Sequence, residues 1–117
     1  MATYTLKEWC EEEIPFALKR DPTGSGVLIV YNLTGATDIR FWRYNTKTET
    51  RDFLSTVTTP TRMQVVSAAA GTVKIIPAAT YWALGEYRCW IEVTMSGKKY
   101  LFPSDDAHIF VIEHKYD

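Results

Sequence analysis

Glu86-Tyr-Arg-Cys-Trp-Ile-Glu-Val-Thr-Met95, entered through Trp82-Ala-Leu-Gly85 and left through Ser96-Gly97, is the stretch whose reading decides the fold. It alternates strictly. Tyr87, Cys89, Ile91, Val93 and Met95 point one way; Glu86, Arg88, Trp90, Glu92 and Thr94 point the other. A period of two over ten residues predicts a strand buried on one face only, because successive side chains of an extended chain leave opposite sides. Gly85 supplies tight backbone before the strand, and Ser96-Gly97 predicts a hairpin turn after it.

Working outward, the rest of the chain also favours strands. Thr is common, and Val, Ile, Tyr, Phe and Trp are plentiful, residues whose shapes suit a pleated, half-buried surface. Ile14-Pro-Phe-Ala-Leu18 alternates, and Pro15, lacking an N–H, marks it as an edge strand. Asp21 to Gly26 reads as a turn. Val27 to Leu33 is apolar on both faces, as for a strand covered on both sides or one that shifts between sheets. Thr37 to Tyr44 places Ile39 and Phe41 on one face and Arg40, Trp42 and Tyr44 on the other. Asn45 to Thr50 reads as a polar loop. Weaker strands follow at Phe53–Val57 and Arg62–Val66, then a turn at Ala68–Gly71, a short strand at Thr72–Ile76, a return strand at Lys99–Phe102 and a last one at His108–His114.

Eight or nine short strands with turns at this spacing, and no strand–helix alternation, predict an all-β fold. The reading is an immunoglobulin-like (Ig-like) two-sheet antiparallel β-sandwich, with a small β-barrel as the alternative. The Gly-x-Tyr-x-Cys entry to the long strand fits the tyrosine corner of such sandwiches, in which the phenol hydroxyl bonds back to the loop before it. Residues 13–117 form the expected domain, and residues 1–12 an N-terminal arm. Leu6, Trp9, Cys10 and Glu13 fit one helical face, and Thr3-Tyr-Thr-Leu6 fits a short strand equally. Tyr4, Leu6 and Trp9 lie in that arm ahead of the charged Glu11-Glu-Glu13 spacer, and a neighbouring subunit is expected to cover them.

At 117 residues, with 46% hydrophobic and 23% charged residues, the chain suits one globular domain. A net charge of −1 with scattered Lys and Arg argues against nucleic acid, whose phosphates demand clustered cations. No apolar run approaches the roughly 20 residues that span a bilayer. Met1 to Trp9 has no apolar leader core, so folding in a cytoplasm is expected. Cys10 in a charged segment and Cys89 on an inward strand position then read as free thiols.

Catalytic motifs are missing. Gly24-Ser-Gly26 has no following helix to hold a phosphate, and His108 and His114 stand too far apart on one strand to share a metal. Asp105-Asp-Ala-His108 is the one cluster with ligand chemistry, and a solvated turn is its ordinary reading. No catalytic, cofactor or metal residue is therefore assigned.

Ile14–Leu18, Asn32-Leu-Thr-Gly-Ala-Thr37, Ala70-Gly-Thr-Val73 and Leu84-Gly-Glu-Tyr87 together resemble the Ig-like N-terminal domain of tailed-phage baseplate upper proteins and related virion modules. The likeness runs from about Ile14 to the end of the chain and rests on short, turn-rich motifs. Val27–Leu33 lacks the cysteine of a disulfide-bonded Ig domain. The resemblance implies a non-enzymatic virion protein: a head decoration protein, a neck or tail adaptor, or a baseplate or fibre anchor. Its partners would be other virion proteins or further copies of itself on a symmetric particle. A carbohydrate- or adhesin-type binding module is the alternative. If Thr37–Tyr44 and Glu86–Met95 pair, Arg40, Trp42, Tyr44, Arg88, Trp90 and Glu92 form one outward patch, rich in the side chains that dominate protein interfaces. The competing arrangement turns Trp42 inward as the core tryptophan and puts Phe41 outside.

Overall fold

The computed structural model describes residues 3–20, 28–102 and 108–113. In chain order the strands are β1 (Thr3–Lys7), β2 (Ile14–Ala17), β3 (Lys19–Arg20), β4 (Ile29–Val30), β5 (Ala36–Asn45), β6 (Thr50–Ser55), β7 (Met63–Ser67), β8 (Thr72–Ile75), β9 (Gly85–Met95), β10 (Lys98–Phe102) and β11 (His108–Glu113). No helix occurs among the described residues.

The alternating stretch forms β9 and sits at the centre of a six-stranded sheet ordered β1-β11-β9-β5-β6, with β10 also paired to β9. Because β5 takes one side of β9 along most of its length, β10 and β11 share the other side. β10 covers Ile91–Met95 and β11 covers Gly85–Cys89. Ser96 and Gly97 make the two-residue turn between β9 and β10, both with positive φ (53° and 75°), the backbone a tight hairpin requires.

A three-stranded sheet, β2-β8-β7, covers the inner face. Pro15 lies on its edge strand β2, where no ladder N–H is lost. The chain passes from large sheet to small and back: β1, then β2, then β5–β6, then β7–β8, then β9–β11. Phe16 of the small sheet meets Phe41 and Phe110 of the large one at ring distances of 5.6 and 6.4 Å. Ile39, Ile91, Val93, Val73, Ile75 and Met63 fill the same buried layer. The outer strands β1 and β6 do not pair with each other, so the sheet does not close into a barrel. The fold is an all-β, two-sheet β-sandwich, antiparallel among the described strands except for the parallel pair β1–β11. Tyr87 completes the expected corner: its hydroxyl donates to the Ala83 carbonyl at 3.1 Å.

Three expectations change. Residues 3–7 are not an arm outside the sandwich but a strand of the large sheet, in register with Ile109–Glu113. The open edge of β11 offers their backbone a ladder, and alternation turns Tyr4 and Leu6 toward the core. The described part of the stretch expected as a covered strand, residues 28–33, is not one. Only Ile29–Val30 is extended, in a short ribbon with Lys19–Arg20, and Leu28, Ile29 and Val30 are 63%, 54% and 45% exposed. The weaker strand expected at Phe53–Val57 begins earlier. The hairpin register Asn45↔Thr50 confines the loop to Thr46–Glu49, and Ser55 then gathers the amides of Val57 and Thr58 on its hydroxyl to turn the chain. The turn expected at Asp21–Gly26 and the cluster at Asp105–Ala107 lie outside the described residues.

Candidate interaction face on the large sheet

The register of β5 on β9 sets Arg40 opposite Glu92, Trp42 opposite Trp90 and Tyr44 opposite Arg88. The register of β5 on β6 adds Phe53 beside Trp42 and Arg51 beside Tyr44. The face therefore carries parallel rows across the sheet: an aromatic row of Phe53, Trp42 and Trp90, and a basic row of Arg51, Tyr44 and Arg88. Trp42 and Phe53 lie 4.8 Å apart between ring centroids. Phe41 is fully buried, so Trp42 faces outward and the competing inward arrangement is not adopted.

A groove of about 550 Å³ lies over these rows, with Leu101 of β10 and Glu92 in its wall. Both indoles are half-buried within it. The charges around it are not equivalent. Arg40 is held by Asp38 at 2.7 Å, and its guanidinium sits 4.3 Å from the Phe53 ring centre. Burial of Asp38 opposes its ionisation, but hydrogen bonds from the Ser55 hydroxyl (2.7 Å) and Arg40 outweigh that and hold the carboxyl below its usual range. Arg51 and Arg88 make no ion pair among the described residues. The groove thus joins an apolar floor to Arg51 and Arg88 against the single carboxylate of Glu92, an excess of positive charge suited to an aromatic or aliphatic group with carboxylates beside it.

Behind the face lies a residue that the outward patch did not include. Arg43 follows Trp42 on β5 and so points inward, at the end of the sandwich. Its guanidinium lies over Tyr81 (3.9 Å to the ring centre), Tyr87 (5.0 Å) and Trp82 (5.8 Å), donates to the Tyr81 carbonyl and forms a two-pronged pair with Asp52 at 3.0 and 2.6 Å. Burial disfavours its charge, yet the Asp52 carboxylate outweighs this and lifts the pKa above its ordinary value. Trp82, fully buried and stacked on Phe110 at 4.9 Å, is the core tryptophan. It comes from the loop before β9 rather than from a strand. An inward cation on an otherwise alternating strand was the available signal for Arg43; Trp82 had none beyond its closeness to the tyrosine corner.

The other expected contact residues separate. Tyr4 stacks on Phe110 at 4.5 Å, and burial raises its phenol pKa; Leu6 packs against the same core. Both therefore contribute to this chain's own core. Trp9 alone of the three remains 52% exposed.

Both cysteines are free. Cys89 is fully buried, and desolvation drives its thiol pKa upward, away from a reactive thiolate. His108 lies opposite Cys89 on β11 with its ring between Tyr4 (5.8 Å) and Phe16 (5.6 Å), and burial lowers its pKa. No group of three or more His, Cys, Asp or Glu side chains able to hold a metal occurs among the described residues. None of them forms a helix long and apolar enough to cross a membrane. No family model and no curated protein sequence matches the chain.

Proposed function

We propose that this protein is a non-enzymatic assembly module that works by docking the Trp42–Trp90 face onto another protein. One observation carries the reading: two tryptophans stand opposite each other on the outer face of a sandwich whose core is already complete without them. Large aromatic groups flanked by arginines are the usual energetic centres of protein interfaces. Among the described residues, the Cys89 thiol is fully buried and the His108 ring is half-buried between Tyr4 and Phe16, which supports a role without chemistry. A tailed-phage virion is the setting that the sequence resemblance implies, with the module repeated on a symmetric particle.

The test is Trp90→Ala, introduced into the protein as the particle's sole copy. Losing the cross-strand pair with Trp42 costs about 0.5–1 kcal/mol, so the melting temperature should fall by no more than about 5 °C. Loss of an interface anchor costs about 2 kcal/mol or more, so incorporation into purified particles, measured by mass spectrometry, should weaken about thirtyfold. Unchanged incorporation would overturn the reading. Retention of a saccharide on a glycan array by the wild type but not by Trp90→Ala would redirect it to a carbohydrate-binding groove.

A further inference from the structure

The turn Lys7–Cys10, between β1 and β2, is closed by the Cys10 amide on the Lys7 carbonyl, and its third position is Trp9 with φ +62°. That backbone favours Gly or Asn, and a bulky aromatic there is a marked exception. The turn is also anchored: the Trp9 amide donates to the Trp82 carbonyl and the Glu8 amide to the Glu113 carbonyl, each within 2.9 Å. A strained, anchored turn therefore presents an indole that is 52% exposed. Such strain is seen where a side chain is held in place for contact. The exposed carboxylates Glu11 and Glu12 follow within three residues.

We infer that this turn is the partner of the groove: Trp9 of one copy inserts over Trp42 and Trp90 of a second copy, while Glu11 and Glu12 meet Arg51 and Arg88. The inference rests on the docking role proposed for that face. Charge complementarity supports it, because the groove's two arginines outnumber its one carboxylate, Glu92, and two acidic residues stand beside the indole. Spacing supports it too. Trp9 and Glu11 are two residues apart, at most about 7 Å, and Trp90 and Arg88, also two apart on one strand face, are separated by about 7 Å. The chain between indole and carboxylate is therefore long enough for both to reach the groove at once.

Knob and groove are different surfaces of the same molecule, so the contact is head-to-tail and propagates into a ring or a filament rather than stopping at a symmetric dimer. One indole with two flanking carboxylates buries far less than the roughly 1,000 Å² of a stable interface. Association is therefore weak in solution, and it becomes effective when copies are held together in an array.

Sedimentation equilibrium from about 10 µM to about 1 mM, at low salt, tests this. The wild type should rise above 13.4 kDa with concentration and pass twice that mass, and added salt should suppress the rise. Trp9→Gly, which suits the positive φ and preserves the turn, and Trp90→Ala should each remain monomeric when alone. Mixed together they should form a 1:1 dimer and nothing larger, since only one competent knob and one competent groove can meet. A wild type that stays monomeric at about 1 mM, a Trp9→Gly protein that assembles like the wild type, or a mixture that fails to pair would each overturn the inference. Loss of assembly in Trp90→Ala but not in Trp9→Gly would leave the face as a docking surface with a different occupant. A Trp90→Ala protein unchanged in both self-association and particle incorporation would remove the docking role itself.

Discussion

Replacing Arg43 with methionine keeps a similar unbranched stem and removes the charge, and the structure fixes where the loss should fall. The Arg43 side chain is 15% exposed, whereas its partner Asp52 is 55% exposed. The ion pair itself is therefore a largely solvated interaction worth about 1 kcal/mol or less. The Tyr81 carbonyl loses its guanidinium donor, and an unsatisfied buried acceptor costs about 1–3 kcal/mol. The stacked contact with the Tyr81 ring at 3.9 Å adds roughly 0.5–2 kcal/mol. Arg43→Met should thus destabilise by about 3–4 kcal/mol, a fall of roughly 15 °C for a domain of this size. Asp52→Asn should cost about 1 kcal/mol or less, and the double variant should resemble Arg43→Met alone. Urea unfolding followed by tryptophan fluorescence measures all three, since Trp82 lies against the cage. Equal losses for Arg43→Met and Asp52→Asn would refute the reasoning. They would mean that the carboxylate, and not the carbonyl and rings, holds the arginine.

Two further outcomes follow from the backbone and from protonation. Gly71 has φ +67°, and a Cβ there would run into the Tyr31 carbonyl oxygen and press on that of Leu18; Gly71→Ala should lower stability by about 3 kcal/mol in thermal or urea unfolding, combining left-handed strain with a backbone clash. Burial depresses the pKa of His108, so the unfolded chain binds a proton more readily than the folded one. Stability should be flat with respect to this group above about pH 6.5 and fall as the pH drops below that, until the folded imidazole also protonates. His108→Phe should flatten this part of the unfolding profile, while the loss tied to Asp38, whose folded pKa is also depressed, should persist below about pH 4.

Periodicity made the centre of this molecule legible. Strict alternation in Glu86–Met95 sorted Tyr87, Cys89, Ile91 and Val93 inward and Trp90 outward, because a strand buried on one face permits only one such sorting. In Thr37–Tyr44 the pattern favoured Ile39 and Phe41 inward, but with Arg43 on the same face it left Trp42 open until the burial of Phe41 settled it. Glycine and proline placed the β9–β10 turn and the edge strand β2 by local sterics alone. Other features depend on which strands lie side by side, and no local pattern encodes that. Thr3–Lys7 has the same alternation whether it is a free arm or a strand; only the open edge of β11 decides that Tyr4 and Leu6 are core and that Trp9 is left at a strained turn. Leu28–Val30 is as apolar as any buried strand, yet only Ile29–Val30 is paired, in a short ribbon, and all three side chains are largely in solvent. The neighbours Arg43 and Trp42 take opposite roles through the pleat, but the rings that receive the arginine arrive from a loop some forty residues away. The outward patch was determined by the sequence up to strand pairing. Its joining into one groove, with Arg51 and Leu101 at the walls, came from the registers of β6 and β10, which are set by long-range backbone hydrogen bonds.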